Sequence, residues 1–108
     1  MKQGHTKVIT VFRSRLRPEA QEQYRQWATR MSGLARQMPG YISHKTFVAE
    51  DGERVTIVEF DSEESHRAWA VHPEHVAAKK KGRSSFYQEY CIQVCSLQRE
   101  SVFPDSAS

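Results

Sequence analysis

No stretch of this chain approaches the ~20 consecutive apolar residues that a membrane-spanning helix requires. The N-terminus, Met1-Lys2-Gln3-Gly4-His5-Thr6, has a charge but no hydrophobic segment behind it. No secretory signal and no membrane partner are therefore expected, and the expected location is cytoplasmic. Cysteine is scarce. Cys91 and Cys95 are the only two, and they fall in a segment that reads as one strand. Four residues along a strand span roughly 13 Å, whereas a disulfide joins Cα atoms about 5.5–6 Å apart. They are expected to be two small buried hydrophobes that do not pair, in a reducing compartment. With neither a C-x-x-C spacing nor a third thiol, no zinc site is expected. Strong charge is missing as well. Sixteen Lys and Arg against thirteen acids leave +3, too mild to mark a nucleic-acid binder. The one basic run, Lys79-Lys80-Lys81 with Arg83, suits a solvated helix end, where cations favour the helix dipole. Internal repeats and low-complexity segments are absent.

What is present is a globular pattern. In 108 residues, 38% are hydrophobic and 27% charged, which fits one folded domain with room for a core but not for a second domain. Lys7 to Leu16 reads as a strand, with Val8, Thr10, Phe12, Ser14 and Leu16 on one face and Ile9 and Val11 on the other. Pro18 suits the first turn of a helix. From there Ala20, Tyr24, Trp27, Met31, Leu34 and Met38 recur at helical spacing, an amphipathic stripe of about five to six turns. Pro39-Gly40 ends it. Trp27 is expected in the core, so its truncation to Ala would cost ~3–5 kcal/mol. Tyr41 to Ala49 is a second strand, Asp51-Gly52 a hairpin turn, and Arg54 to Phe60 a third strand. Asp61 with Glu64 has capping-box spacing, and Ser62 is the competing cap. A second helix then runs through Ser65 to Val71 and breaks at Pro73. A further short helix runs from Pro73 to Lys81 and stops at Gly82, residues 83–87 connect, and Gln88 to Gln98 is the fourth strand.

Strand, helix, strand, strand, helix, strand is the ferredoxin-like split βαβ order, an α+β fold with one four-stranded antiparallel sheet. Two helices cover one face of such a sheet. The other face also carries large apolar residues, and a second copy would cover it. Two sheets packed face to face, a homodimeric α+β barrel, are expected. The domain is expected to span residues 1–103, with 104–108 a frayed tail.

Chemistry concentrates in Ser65-His66-Arg67-Ala68-Trp69-Ala70-Val71-His72-Pro73-Glu74-His75, which holds three of the five histidines. Pro73 biases His72 away from helical geometry. Neutral imidazole is a base that works near pH 7 without a large pKa shift, so His72 and His75 are the candidate catalytic bases. Trp69, with Phe86 or Tyr87, is the candidate aromatic wall of a pocket. The competing reading is a pair of histidines that cap a helix junction. His66, His72 and His75 make no H-x-x-x-H pair and have no cysteine nearby, so no metal is expected. Strand three, Glu53 to Phe60, lacks the glycines and stacking aromatics of an RNA-binding strand.

Met38-Pro39-Gly40-Tyr41, the Asp51-Gly52-Glu53 hairpin, Trp69-Ala70-Val71-His72-Pro73-Glu74-His75 and Phe86-Tyr87-Gln88-Glu89-Tyr90 together resemble the antibiotic biosynthesis monooxygenase family, over roughly residues 6 to 103. The resemblance implies a small dimeric ferredoxin-like barrel. It also implies an oxygenase that attacks a phenolic, quinol or polyketide-like aromatic molecule with O₂ and no prosthetic group. Some members of the family degrade haem instead, and many have no established substrate. Trp69 stands where the family has its pocket tryptophan. In the haem-degrading branch a histidine about ten residues further on ligates iron, and an asparagine on strand one assists. Here those positions are Lys79 and Phe12, which argues against haem and makes Phe12 a candidate substrate contact. Where the polyketide-oxidising branch has a tyrosine six residues after the tryptophan, this chain has His75. A small-molecule-binding dimer without turnover is the alternative, because a fold does not imply an activity.

Overall fold

A computed structural model describes residues 6–104; part of the expected tail, 105–108, and the N-terminal Met1–His5 lie outside the described residues. The strands are β1 (Val8–Leu16), β2 (Tyr41–Val48), β3 (Arg54–Phe60) and β4 (Tyr87–Ser96), and the helices are α1 (Gln21–Arg36), α2 (Glu63–Ala70) and α3 (Pro73–Lys81). They form one antiparallel sheet in the order β2-β3-β1-β4, the ferredoxin-like α+β fold. No helix among the described residues is long and apolar enough to cross a membrane.

Cross-strand partners lie on the same face of a sheet, so register sorts the side chains. Val8, Thr10, Phe12 and Ser14 stand opposite Phe60, Val58, Thr56 and Arg54 on one side and Ser96, Val94, Ile92 and Tyr90 on the other. This is the helix-covered face. Its core is Phe60, with no exposed surface, packed with Trp69 and Ala35 and flanked by Met31, Leu34, Met38, Tyr41 and Val58. The other face carries Ile9, Val11, Val55, Ile57 and Phe47, and no helix among the described residues packs on it: Phe47 is 48% exposed. The molecule is a slab, 51 × 33 × 20 Å, the thinnest dimension being that of two layers.

Several sequence expectations need correction. Pro18 opens a 3₁₀ turn, Pro18–Ala20, before α1 begins. Trp27 is only partly buried; it packs edge-on against Phe86 at 6.2 Å and leaves one side in a groove beside Pro73 and Ala77, so full core cost is not expected for it. Ser62, not Asp61, caps α2. Its hydroxyl accepts the Ser65 N–H at 3.1 Å, while Asp61 accepts the Ser65 hydroxyl at 2.8 Å. Gly82 does not stop α3; with φ −59° it continues into a π turn, Gly82–Phe86. A side chain there would meet the Tyr87 ring, whose Cε2 lies 2.6 Å from the position of a Cβ. Tyr87 therefore begins β4 rather than ending a connector, and β4 ends at Ser96. Cys91 and Cys95 are exposed, because β4 turns them to the uncovered face.

Gly40 fixes the approach of α2. Its φ is +83°, its carbonyl accepts the Asp61 N–H at 2.8 Å, and a Cβ would collide with the Ser65 side chain. Gly52 also has positive φ (+91°), but open space surrounds it. We expect Gly52→Ala to cost about 1 kcal/mol of backbone strain and Gly40→Ala clearly more, since it adds a clash to the same strain. Urea unfolding of both variants checks this; equal losses would mean that the α2 contact is not tight.

Candidate functional site

The capped first turn of α2 aims Trp69 into the layer between the helices and the sheet, where it is 7% exposed. The helix ends at Ala70, with Val71 as its C-cap, because Pro73 follows closely. His72 is extended (φ −59°, ψ 131°) and its Nδ1 accepts the Glu74 N–H at 3.1 Å, capping α3. Its ring lies 5.7 Å from that of Trp69. One turn into α3, His75 stacks on the indole at 4.4 Å between centroids and 22° between planes. Trp69, His72 and His75 thus form one cluster.

The two histidines differ chemically. A neutral imidazole has one donor and one acceptor nitrogen. Since Nδ1 of His72 accepts from a backbone amide, its proton sits on Nε2, and the ring meets its surroundings as a donor. His75 has Nδ1 buried without a hydrogen-bond partner. Burial pushes its pKa down to about 4, with the nearby Lys79 ammonium acting the same way; the carbonyls of Ala70 and Trp69 pull partly back. The expectation of a base without a large shift is corrected by this: His75 is held neutral but weakly basic. His66, on α2 against Phe60 at 6.0 Å, is also lowered, chiefly by burial.

Phe12, Phe86 and Tyr87 lie in a second cluster. Phe12 meets Tyr87 edge-on at 5.4 Å and Tyr90 at 5.5 Å; Tyr24 meets Phe86 and Tyr87, each at 5.9 Å. Burial raises the Tyr87 phenol pKa, which keeps it protonated. Phe12 stands two residues from Thr10, whose buried hydroxyl also lacks a partner. The six candidates therefore divide between two clusters. Two surface grooves lie elsewhere: one of about 560 Å³ beside residues 95–101, and one of about 400 Å³ between Trp27, Arg30 and α3. Neither reaches Trp69, which is closed over by His75. Among the described residues, no three potential ligand side chains gather as a metal site.

Two groupings escaped the sequence. His44 bridges α1 and β2, with Nε2 3.0 Å from the Ser32 hydroxyl and Nδ1 2.6 Å from the Tyr41 hydroxyl. Burial, then Arg36, lowers its pKa. No spacing signals this contact, since a bulge between Tyr41 and Ser43 sets the register. Arg54 carries its guanidinium 5.3 Å from the centre of the Tyr24 ring, with Nε buried and unpartnered. A signal existed for it: Arg54 alternates in phase with Val58 and Phe60, and so belongs to the inward face.

A family model described as "Antibiotic biosynthesis monooxygenase" matches residues 7–81. An uncharacterized Bacillus subtilis protein, YqjZ, is 33% identical over 98 residues, covering 91% of this chain and 86% of that one. Rv0793 from Mycobacterium tuberculosis has a similar structure, with a TM-score of 0.79 at 18% identity, over 90% of this chain and 100% of that one. A mutant of SnoaB, described as a cofactor-independent oxygenase from Streptomyces nogalater, gives 0.76 at 15% identity, over 93% and 99%.

The lowered pKa of His75 has a consequence for stability. A buried neutral histidine binds its proton at about pH 4 when folded and near 6.5 when unfolded. Between these values the unfolded state binds more protons, so stability rises with pH. The contribution is complete above pH 6.5 and is lost progressively down to pH 4, about 3 kcal/mol in all. His75→Phe keeps a ring on Trp69 and removes the titration. Denaturant unfolding from pH 4 to 7 should show a shallower slope for the variant, by close to one proton; identical slopes would rule out a buried neutral His75.

Proposed function

Since the chain belongs to the antibiotic biosynthesis monooxygenase family, we propose that it is a small oxygenase that attacks a phenolic, quinol or polyketide-like aromatic substrate with O₂ and no prosthetic group. The observation that carries this is the Trp69–His75 stack, which sets a buried, unpartnered imidazole nitrogen beside a buried indole. The description of SnoaB as a cofactor-independent oxygenase supports the class of reaction.

In this mechanism the substrate hydroxyl donates to Nδ1 of His75 while the indole of Trp69 lies behind the reacting ring. The substrate anion, poorly solvated there, passes an electron to O₂. One oxygen atom becomes the new C=O of the product, and the other leaves as water with the two hydrogens that the substrate loses. Moving a phenol proton (pKa near 10) to a base of about 4 is uphill by about 8 kcal/mol. A turnover of ~10 s⁻¹ corresponds to a barrier of about 16 kcal/mol, so the transfer uses roughly half of what is available. Lys79, whose charge already depresses His75, favours the substrate anion for the same reason. The weak basicity of His75 also favours the second reading, a dimer that binds such molecules without turnover. Haem does not fit: Lys79 takes the place of the iron ligand, and Nδ1 of His72 is committed to the Glu74 amide.

Substrate entry falls to α3. No residue of this helix is fully buried, His75 being partly so; it is held by the His75 stack and by the Arg30–Glu74 ion pair at 2.7 Å, and it is bounded by the His72-Pro73 break and the π turn. Tilting it uncovers Trp69. A second copy on the uncovered sheet face completes the barrel, in the cytoplasm, where the two thiols stay reduced.

Two measurements test this. Oxygen uptake with a panel of hydroquinones and naphthols should fall ~10²–10⁴-fold in His75→Ala, the worth of a positioned base. His72→Ala should instead lose about 1 kcal/mol of stability, as a cap does, and keep the rate. No uptake with any compound would leave the binding reading, and loss of activity in His72→Ala alone would reverse the assignment. Sedimentation at micromolar concentration should give twice the chain mass; a stable monomer would sink the face-to-face barrel.

A further inference from the structure

Arg54 is the charge in this layer that the proposed reaction does not use. It opens β3 on the helix-covered face, opposite Ser14, with Tyr90 one strand beyond. Among the described residues Arg13, Arg15, Arg25, Arg30 and Arg67 each lie within 4 Å of a carboxylate, whereas Arg54 has no such partner. Its Nε–H is buried and makes no hydrogen bond. Guanidinium does not shed its charge, and a buried charged donor without an acceptor is costly. The face of Tyr24, 5.3 Å from the guanidinium carbon, offsets part of that cost, but a ring face cannot replace an in-plane acceptor for Nε. The surroundings are aromatic: Tyr24 and Tyr87 are 5.9 Å apart, and Phe12 links Tyr87 to Tyr90.

We propose that Arg54, walled by Tyr24, Tyr87 and Phe12, is a subsite for the carboxylate end of a fused-ring aromatic acid. The site and its orientation rest on the reaction assigned above to Trp69 and His75. A planar guanidinium edge matches a carboxylate in two parallel hydrogen bonds, and the aromatic wall suits the ring that carries it. Position sets the length of the ligand. Thr10 and Ser14, the β1 partners of Val58 and Arg54, are four residues apart on one face, roughly 13 Å, and Phe12 lies between them. The reach of the arginine side chain shortens that span. A single ring with adjacent hydroxyl and carboxylate is too short for both ends of the site. A fused system with the two groups at opposite ends, the hydroxyl toward Thr10 and the carboxylate on Arg54, is long enough.

Binding under nitrogen tests this without any turnover. By calorimetry, 6-hydroxy-2-naphthoate should bind at least tenfold more tightly than 2-naphthol, while 3-hydroxy-2-naphthoate, with its groups side by side, should bind less tightly than the 6-hydroxy isomer. Arg54→Gln should remove the gain and leave 2-naphthol unchanged. In the unaltered protein the Arg54 Nε–H resonance should move on adding 6-hydroxy-2-naphthoate and not on adding 2-naphthol, a readout that stands even if the variant fails to fold. Equal affinities, a preference that survives in Arg54→Gln, a 3-hydroxy isomer that binds as tightly, or an unmoved Nε–H resonance would each overturn the subsite. If charge-dependent binding holds while no oxygen is consumed, the subsite stands and the oxygenase assignment falls.

Discussion

Trp69 packs on Phe60 and Ala35 with one side and carries His75 on the other, so a single indole ties the sheet, α1, α2 and α3 together. Removing such a ring from a core costs ~3–5 kcal/mol, a large part of the 5–15 kcal/mol by which a domain of this size is stable. The position of α3 depends on it together with the Arg30–Glu74 ion pair, because that helix fully buries no residue of its own. A helix held by one aromatic stack and one exposed ion pair can move without unfolding the domain. The same contact closes over Trp69, which is why the proposed route of substrate entry runs through α3.

The Met38-Pro39-Gly40-Tyr41 turn acts through this contact from a distance. Gly40 at positive φ lets the chain run close beneath Ser65, and the Asp61–Gly40 hydrogen bond sets the start of α2. Three short links from Gly40 through Ser65 and Ser62 fix the rotation of α2 about its axis. That rotation decides that Trp69 points inward while Val71, two residues on, points out at 65% exposure.

Strand alternation and the 3.6-residue stripe made the fold legible, and the register of β1 with β3 follows from them. The site was legible only as a list of residue types. Trp69, His72 and His75 meet because they are close in sequence on either side of a proline, and a proline break can be read. Which nitrogen of each ring is free could not, since that depends on the Glu74 amide and on burial from the opposite layer. Cys91 and Cys95 misled for a related reason: buried hydrophobes and face-exposed thiols have the same alternation in β4, and only the placement of the helices tells the faces apart. The Gly82 stop failed because glycine serves equally where a helix ends and where another side chain, here Tyr87, needs the space of the missing Cβ.

Three buried polar atoms lack partners among the described residues: Thr10 Oγ1, Arg54 Nε and His75 Nδ1. Each such atom costs roughly 1–3 kcal/mol, and nothing in the packing of this fold requires a polar atom at these positions; valine at 10 or methionine at 54 would remove the cost. The three are of different kinds. A hydroxyl can donate or accept, a neutral imidazole nitrogen without a proton accepts, and a guanidinium N–H donates. Thr10 and Arg54 both belong to the covered face of the sheet, and His75 lies against Trp69 from α3. A ligand that satisfies all three needs a hydroxyl at one end, an anion at the other and apolar rings between, where Phe12 stands. The proposed subsite turns on this: a hydroxyl at one end of an elongated aromatic acid and a carboxylate at the other would supply partners of the kinds these atoms lack.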